Sequence, residues 1–150
     1  MSDRLDDRVH YPALPTRRRE AEPLLEWRSG REARMSGFGD SEMDITPSEA
    51  ARRMNEEGMV LIDVREPYEW NAGHVPDSTH IEMERIASRV EEVPADKPVA
   101  FLCLGGGRSG MVAGAFKARG YDAYNVAGGF REWFEAGLPT EPDDAEVAPH

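Results

Sequence analysis

Short runs of apolar residues recur along the chain between segments with a helical period. Residues 59–64 and 99–103 are apolar almost throughout and are bounded by glycine or proline. Such runs are typical of central strands in a parallel sheet, because these strands are buried on both faces. Shorter strands are predicted to begin at Ile45 and to cover residues 79–81 and 122–126.

Helical patterns lie between these strands. Thr46, Pro47 and Glu49 have the residue types of a helix N-cap, a first helical position and a capping box. The helix is predicted to run to about Glu57, with Gly58 as its stop. Strands that alternate with helices predict an α/β fold, in which a central parallel sheet of four to five strands has helices on both faces. The other predicted helical segments are residues 67–70, 83–90, 109–119 and 130–136.

Length and composition indicate the domain organisation. The 150 residues are enough for one domain with a sizeable core. Residues 1–43 carry several prolines and many charges without a sustained period, so we predict a disordered or poorly ordered N-terminal arm. The folded domain is predicted at residues 44–140, and residues 141–150, rich in Pro, Asp and Glu, are predicted to be a C-terminal tail.

The net charge of −11 narrows the choice of partners. Residues 1–40 carry equal numbers of acidic and basic side chains, so the acidic excess lies in residues 41–150. An acidic domain argues against nucleic acid as a partner. No apolar stretch approaches the roughly 18 residues of a membrane span, which argues against a membrane partner.

A single cysteine suits a reducing compartment, and we predict a cytoplasmic protein.

The one cysteine marks the candidate site. Cys103 ends a predicted buried strand, and a glycine-rich loop and a predicted helix follow it, with Ser109 suited to the N-cap or first turn. At this edge of an α/β sheet, loop N–H groups, the helix N-terminus and the guanidinium of Arg108 would form an anion cradle with the thiol at its mouth. That field favours the thiolate, which is the nucleophilic form of cysteine.

The predicted site therefore has Cys103 as its catalytic nucleophile. An alternative is that Cys103 is a small buried hydrophobe that only packs at the end of a core strand. The glycines, the arginine and the helix start that converge on the cysteine favour the functional interpretation. The residues predicted to bind substrate are Leu104, Gly105, Gly106, Gly107, Arg108 and Ser109.

Four segments resemble the motifs of a known family. Residues 103–109, Cys-Leu-Gly-Gly-Gly-Arg-Ser, resemble the Cys-x-x-Gly-x-Arg active-site loop of the rhodanese (sulfurtransferase) family. The resemblance covers residues 44 to about 140, and because it begins only there, we also consider translation starts at Met35 and Met43. The other three segments, in family order, are 61–65 with Asp-Val-Arg, 72–76 with Gly-His-Val-Pro, and 126–133 with Gly-Gly-x-x-x-Trp.

The chain departs from the family pattern at a few positions. Leu104 stands where thiosulfate-using members often have a basic residue, which removes one charge from the predicted cradle. Asp77 and Ser78 replace the usual Gly-Ala, and His80 stands where Asn is common. We expect these changes to alter the loop beside the pocket more than the fold.

The resemblance implies a two-step sulfur transfer that needs no cofactor. The Cys103 thiolate would take the outer sulfur of a small anionic donor such as thiosulfate and pass it, from a persulfide, to a thiol or cyanide. Asp63 and Arg65 are expected to form an ion pair that supports the loop. His74 is expected to bond to backbone rather than act as a base, and its spacing from His80 does not fit a zinc site.

Two further functions stay open. One is a sulfur-carrier or regulatory module that accepts persulfide sulfur from a partner in a protein relay. The other is a phosphatase or arsenate reductase, which would use the same cradle for an oxyanion. Phosphatases related to this family have a loop one residue longer, so the six positions from Cys103 to Arg108 favour sulfur.

Overall fold

The computed structural model describes residues 42–150, which contain five strands, four α-helices and one 3₁₀ helix. The predicted N-terminal arm covers residues 1–43, of which residues 1–41, with the predicted start at Met35, lie outside the described part. Met43 is buried, and its carbonyl accepts a hydrogen bond from the N–H of Asn125. The elements are β1 (Asp44–Ile45), α1 (Pro47–Glu56), β2 (Val60–Asp63), α2 (Pro67–Ala72), β3 (Thr79–His80), a 3₁₀ helix (Met83–Glu92), β4 (Val99–Leu102), α3 (Gly107–Ala118), β5 (Ala123–Val126) and α4 (Gly129–Glu135).

The five strands form one parallel sheet in the order β1-β5-β4-β2-β3. The continuous apolar runs form β2 and β4, which pair with each other near the centre, where Val60 lies opposite Val99 and Asp63 opposite Leu102. All five strands therefore end at one edge of the sheet, where the connections to the following helices meet. Cys103 follows β4 directly and stands at the middle of that edge.

Helices cover both faces of the sheet, as predicted. Side chains alternate along a strand, so Ile62 and Phe101 belong to one buried cluster and Leu61 and Leu102 to another. The first cluster also contains side chains of the 3₁₀ helix and α3, and the second contains side chains of α1 and α4. Cys103 lies on the same side as Phe101 and packs in the first cluster.

The segment predicted as an amphipathic α-helix at residues 83–90 is instead a 3₁₀ helix, with a non-helical residue at Arg89 (φ −122°, ψ 29°). Ile86 and Val90 are buried as the pattern requires. The charged residues, however, pair at a spacing of three: Arg85 with Glu82, and Arg89 with Glu92. A three-residue turn brings such positions into line, which favours the tighter helix.

The helix after Cys103 begins at Gly107, two residues before the predicted start at Ser109. Its N-cap is Gly106, with a left-handed φ of 104° that few other residues adopt at low cost. The N–H groups of the first turn therefore belong to the glycine loop itself. The helix α3 has 12 residues, and no helix within residues 42–150 is long and apolar enough to cross a bilayer.

Candidate active site

Three donor groups converge on the sulfur of Cys103. The backbone N–H of Gly106 lies 3.1 Å from Sγ and that of Ser109 lies 3.4 Å away. The hydroxyl of Ser109 is 3.3 Å from the same atom. Donors aimed at one sulfur from the first turn of a helix suit an atom that carries negative charge. The prediction that loop N–H groups face the thiol is consistent with this geometry.

The sequence suggested that the sulfur lies at the mouth of the loop, but the structure buries it. Cys103 is 1 % exposed, because β4 delivers it to the core side of the loop and the α3 first turn covers it. Leu104 is also buried. Of the predicted binding residues, only Gly105 and Gly107 are exposed. The exposed part of the loop is therefore backbone without side chains at these two positions.

A chain of polar side chains leads from the sulfur to the edge of the sheet. The hydroxyl of Ser109 donates to the side-chain carbonyl of Asn125 at 2.6 Å, and the Asn125 amide donates to the carboxylate of Asp44 at 3.0 Å. Since a hydroxyl has one hydrogen, Ser109 serves either Asn125 or the sulfur of Cys103 at any moment. Asp44 and Asn125 were not among the predicted site residues; a polar residue inside an apolar strand, as at Asn125, was the available signal.

Arg108 is paired with a buried carboxylate. Its two terminal nitrogens lie 3.1 Å from the two carboxylate oxygens of Glu69, whose side chain is fully buried. Such a bidentate pair fixes the plane of the guanidinium. The backbone N–H of Glu66 holds the same carboxylate at 2.8 Å. Glu69 was missed by sequence reasoning, and only its place after the end of β2 could have indicated it.

The environment of Glu69 favours the ionised carboxylate. Burial alone would raise its pKa, but the hydrogen bonds from Arg108 and from the backbone of Glu66 outweigh burial and lower it. The guanidinium in turn has a raised pKa: burial opposes its charge, and Glu69 together with the nearby Cys103 favours it. Each member of the pair therefore favours the charged form of the other.

Replacing Glu69 by glutamine is expected to make the protein less sensitive to acid. The pKa of Glu69 is lowered on folding, so its carboxylate stabilises the fold at pH values above the ordinary pKa of 4.5. This stabilisation is lost as the pH falls through the folded-state pKa. Urea denaturation between about pH 5 and about pH 3 should therefore show a shallower loss of unfolding free energy in Glu69→Gln. Exposed Glu135 supplies the matched control, Glu135→Gln. Parallel curves for wild type and Glu69→Gln would contradict the expectation.

Asp63 and Arg65 form an ion pair behind the site, as the sequence indicated. Both side chains are fully buried, and Nη2 of Arg65 lies 2.8 Å from Oδ2 of Asp63. The same nitrogen donates to the carbonyl of Gly73 at 2.7 Å, and the guanidinium stacks 4.2 Å from the centre of the Phe130 ring. The pair thus links β2 to the end of α2 and to α4.

His74 has a structural position. Its Nδ1 lies 2.9 Å from the carbonyl oxygen of Trp70, and its ring stacks on that tryptophan with centroids 3.7 Å apart. The other ring nitrogen, Nε2, is 3.3 Å from the carboxylate of Glu141. His80 lies near the same tryptophan, with centroids 4.8 Å apart. Both ring nitrogens of His74 are occupied by these contacts, which agrees with a backbone-bonding rather than a base role.

The start of α4 binds the carbonyl side of the Cys103 loop. The N–H groups of Phe130 and Arg131 donate to the carbonyls of Cys103 and Leu104 at 2.8 and 3.1 Å. Gly129 has a left-handed φ of 61°, and a Cβ there would lie 2.4 Å from both carbonyl oxygens. The loop therefore requires a glycine at this position, which explains the Gly-Gly segment.

Replacing Gly129 by alanine is expected to displace the Cys103 loop and to cost about 2–3 kcal/mol of unfolding free energy. The matched control is Gly137→Ala, which has a similar φ of 75° but no atom within 4 Å of the added Cβ. The control should cost about 1 kcal/mol, from backbone strain alone. Chemical denaturation of both variants measures the difference. Equal losses of unfolding free energy in the two variants would show that the close approach of Gly129 to the loop carbonyls adds nothing to the cost.

A cavity of about 300 Å³ lies beside the loop. Its wall includes the three loop glycines together with Asp44 and Asn125. The size is at the lower end of small-molecule sites in proteins, and it suits a small ligand. Gly106, whose N–H donates to Sγ, is one of the glycines in this wall, so the cavity adjoins the loop that holds the sulfur.

The arrangement found here matches a known family over most of the described chain. Residues 46–136 match the family model described as the Rhodanese-like domain. The chain belongs to the rhodanese-like family. The match contains all four segments whose resemblance was noted in the sequence, and the parallel sheet with helices on both faces is the rhodanese-like fold.

Individual relatives agree with the family match. This rhodanese-like domain is 37 % identical over 94 residues to the thiosulfate sulfurtransferase GlpE of Pseudomonas syringae, covering 62 % of this chain and 89 % of the relative. It is 35 % identical over 105 residues to that of Pseudomonas savastanoi, covering 69 % and 95 %. A solved rhodanese-related protein of Thermoplasma volcanium superposes with a TM-score of 0.61 at 26 % identity, covering 65 % and 96 %.

Proposed function

We propose that this rhodanese-like domain is a sulfurtransferase that works through a persulfide on Cys103. The observation that carries the proposal is the convergence of the Gly106 and Ser109 N–H groups on Sγ at the start of α3. This cradle stabilises negative charge on sulfur, both on the attacking thiolate and on the outer sulfur of a persulfide. The names of the GlpE relatives support the same reaction class.

The proposed transfer has two displacement steps. The thiolate of Cys103 attacks the outer sulfur of a donor such as thiosulfate; the new S–S bond forms as the donor S–S bond breaks, and sulfite leaves with the electron pair. Cyanide or a thiolate acceptor then attacks the terminal persulfide sulfur, and the Cys103 thiolate leaves. Atoms and electrons balance over the cycle, so one nucleophile suffices and no metal or organic cofactor is needed.

The donor is proposed to be a small anion. The first turn of α3 offers N–H groups, and Arg108 has a further N–H on each terminal nitrogen beyond those given to Glu69. Leu104 adds no charge and is buried, so the backbone and Arg108 together must supply the attraction. Recognition by backbone donors suits a compact sulfur oxyanion that fits the small glycine-lined cavity.

Intact-mass analysis of the purified protein after brief exposure to thiosulfate tests the proposal. A gain of about 32 Da at Cys103 that cyanide removes is the expected persulfide cycle. No gain from thiosulfate, but a gain from a persulfidated protein donor, would instead identify a carrier module. Turnover of a phosphate ester or arsenate with no sulfur uptake would overturn the sulfurtransferase proposal in favour of oxyanion chemistry.

A further inference from the structure

Residues 141–150 fold back along α2, and we call this segment the C-terminal strap. Its first residue, Glu141, forms an antiparallel bridge with His74, in which the two backbone N–H groups donate to the opposite carbonyls at 2.8 and 2.9 Å. Five residues later, the N–H of Glu146 donates to the carbonyl of Ala72 at 2.9 Å. The strap is thus attached by backbone hydrogen bonds where α2 ends.

The strap also packs on α2 by side chains. Ala145 lies over Gly73, so closely that a Cβ on that glycine would be 2.8 Å from the Cβ of Ala145. Val147 packs against the buried cluster that includes Trp133. Near the end of the strap, the hydroxyl of Tyr68 donates to the carbonyl of Pro149 at 3.0 Å. These contacts extend from the end of α2 to its first turn.

The strap ends at the ion pair beside the Cys103 loop. Nδ1 of His150 lies 3.6 Å from Oε1 of Glu69, the oxygen that also accepts from Arg108. His150 is half-exposed, whereas the carboxylate beneath it is fully buried. The family match ends at residue 136, so the strap lies outside the matched residues.

We propose that the C-terminal strap is a positioning element of the active site. It holds Glu69 and, through Glu69, fixes the guanidinium of Arg108 at the Cys103 loop. This inference rests on the proposed function of the Cys103 loop, since the positioned charge serves to capture an anionic donor. His150 is the strap residue at the point of contact.

The physical reason is pre-organisation. Arginine has a long side chain with several rotatable bonds, and Arg108 could swing into solvent if Glu69 were hydrated. Covering the carboxylate keeps water from competing for its oxygens and strengthens its hydrogen bonds to the guanidinium. Arg108 then binds an anion without first losing conformational freedom, which increases the rate of capture.

The direct test measures the rotation of the Arg108 guanidinium by NMR, in full-length protein with ¹⁵N-labelled arginine. The Arg108 signals are assigned by their loss in Arg108→Lys. We expect slow rotation in the wild type and faster rotation in His150→Ala and in a chain truncated after Pro142, which keeps the bridge at Glu141. Asp144→Asn, an exposed charge change within the strap, is the control and should match the wild type. Unchanged Arg108 rotation in the truncated chain would overturn the proposal and leave the strap a stabilising segment only.

A second readout measures anion capture without any sulfur transfer. The rate of Cys103 alkylation by iodoacetate, an anion, is divided by that for the neutral iodoacetamide, so general changes in access cancel. We expect truncation to lower this ratio roughly two- to fivefold, the effect of one partly screened charge. A raised ratio would show that the strap withholds Arg108 from anions, and the proposal would fail. A lowered ratio in a protein that forms no persulfide would leave the strap proposal standing while the sulfurtransferase proposal fell.

Discussion

Replacing Cys103 by serine is expected to abolish sulfur transfer while leaving the fold intact. The Gly106 and Ser109 N–H groups converge on this sulfur. A serine hydroxyl does not ionise near neutral pH and cannot form a persulfide. Formation of thiocyanate from thiosulfate and cyanide should therefore fall by at least roughly a thousandfold, the scale seen when a covalent nucleophile is removed.

The size of serine makes this test specific. Serine fits the 1 %-exposed position of Cys103 and can accept the same two backbone N–H groups, so the melting temperature should change little. The species heavier by about 32 Da, the mass of one added sulfur, should be absent as well. Thiocyanate production by Cys103→Ser at more than a small fraction of the wild-type rate would contradict a covalent mechanism at this sulfur.

The parts of the fold that follow from local pattern could be predicted from the sequence. The runs at β2 and β4 are apolar because both faces of a central parallel strand are buried, and their short length and flanking Gly and Pro favour a strand over a buried helix. The N-cap at Thr46 was equally local, and the Glu49 N–H does donate to its hydroxyl at 3.0 Å. The position of Cys103 at the end of a central strand followed from the apolar run of β4.

The residues that complete the site depend on contacts distant in sequence. Glu69 and Arg108 are 39 positions apart and meet only because β2 and β4 are neighbours in the sheet. Asp44 and Asn125 are 81 apart and meet because β1 pairs with β5. Neither pair leaves a periodicity or a spacing that a single sequence displays.

Backbone conformation in the loops was a second feature that could not be predicted from the sequence. The start of α3 was predicted two residues late because serine is a common N-cap, whereas Gly106 fills that role through a left-handed φ that its neighbours do not reveal. Asp77 is similar: it adopts φ 69° where the family usually has glycine, a conformation that Asp tolerates better than most residues. In both cases the departure lies in a loop, and the sheet is unaffected.

Replacing Asp63 by alanine is expected to lower the unfolding free energy by about 3–5 kcal/mol, the cost of leaving a buried partner charge unpaired. Arg65 is fully buried, and its Nη1 has no hydrogen-bond partner among residues 42–150. Its remaining nitrogens donate to Asp63 and, in one case, also to the carbonyl of Gly73. Removing the carboxylate would leave a guanidinium against the Phe130 ring with one carbonyl as its acceptor.

A double variant separates the charge from the packing. In Asp63→Leu/Arg65→Met the buried charge is gone, and replacing such a pair by apolar residues of similar volume is often neutral. We therefore expect the double variant to unfold at a urea concentration closer to that of the wild type than Asp63→Ala does. The loss in Asp63→Ala is a large part of the roughly 5–15 kcal/mol that stabilises a typical domain, so urea denaturation measures it easily. A cost below about 1 kcal/mol, the median for exposed pairs, would mean that water reaches Arg65 and that the pair does not support the Cys103 loop.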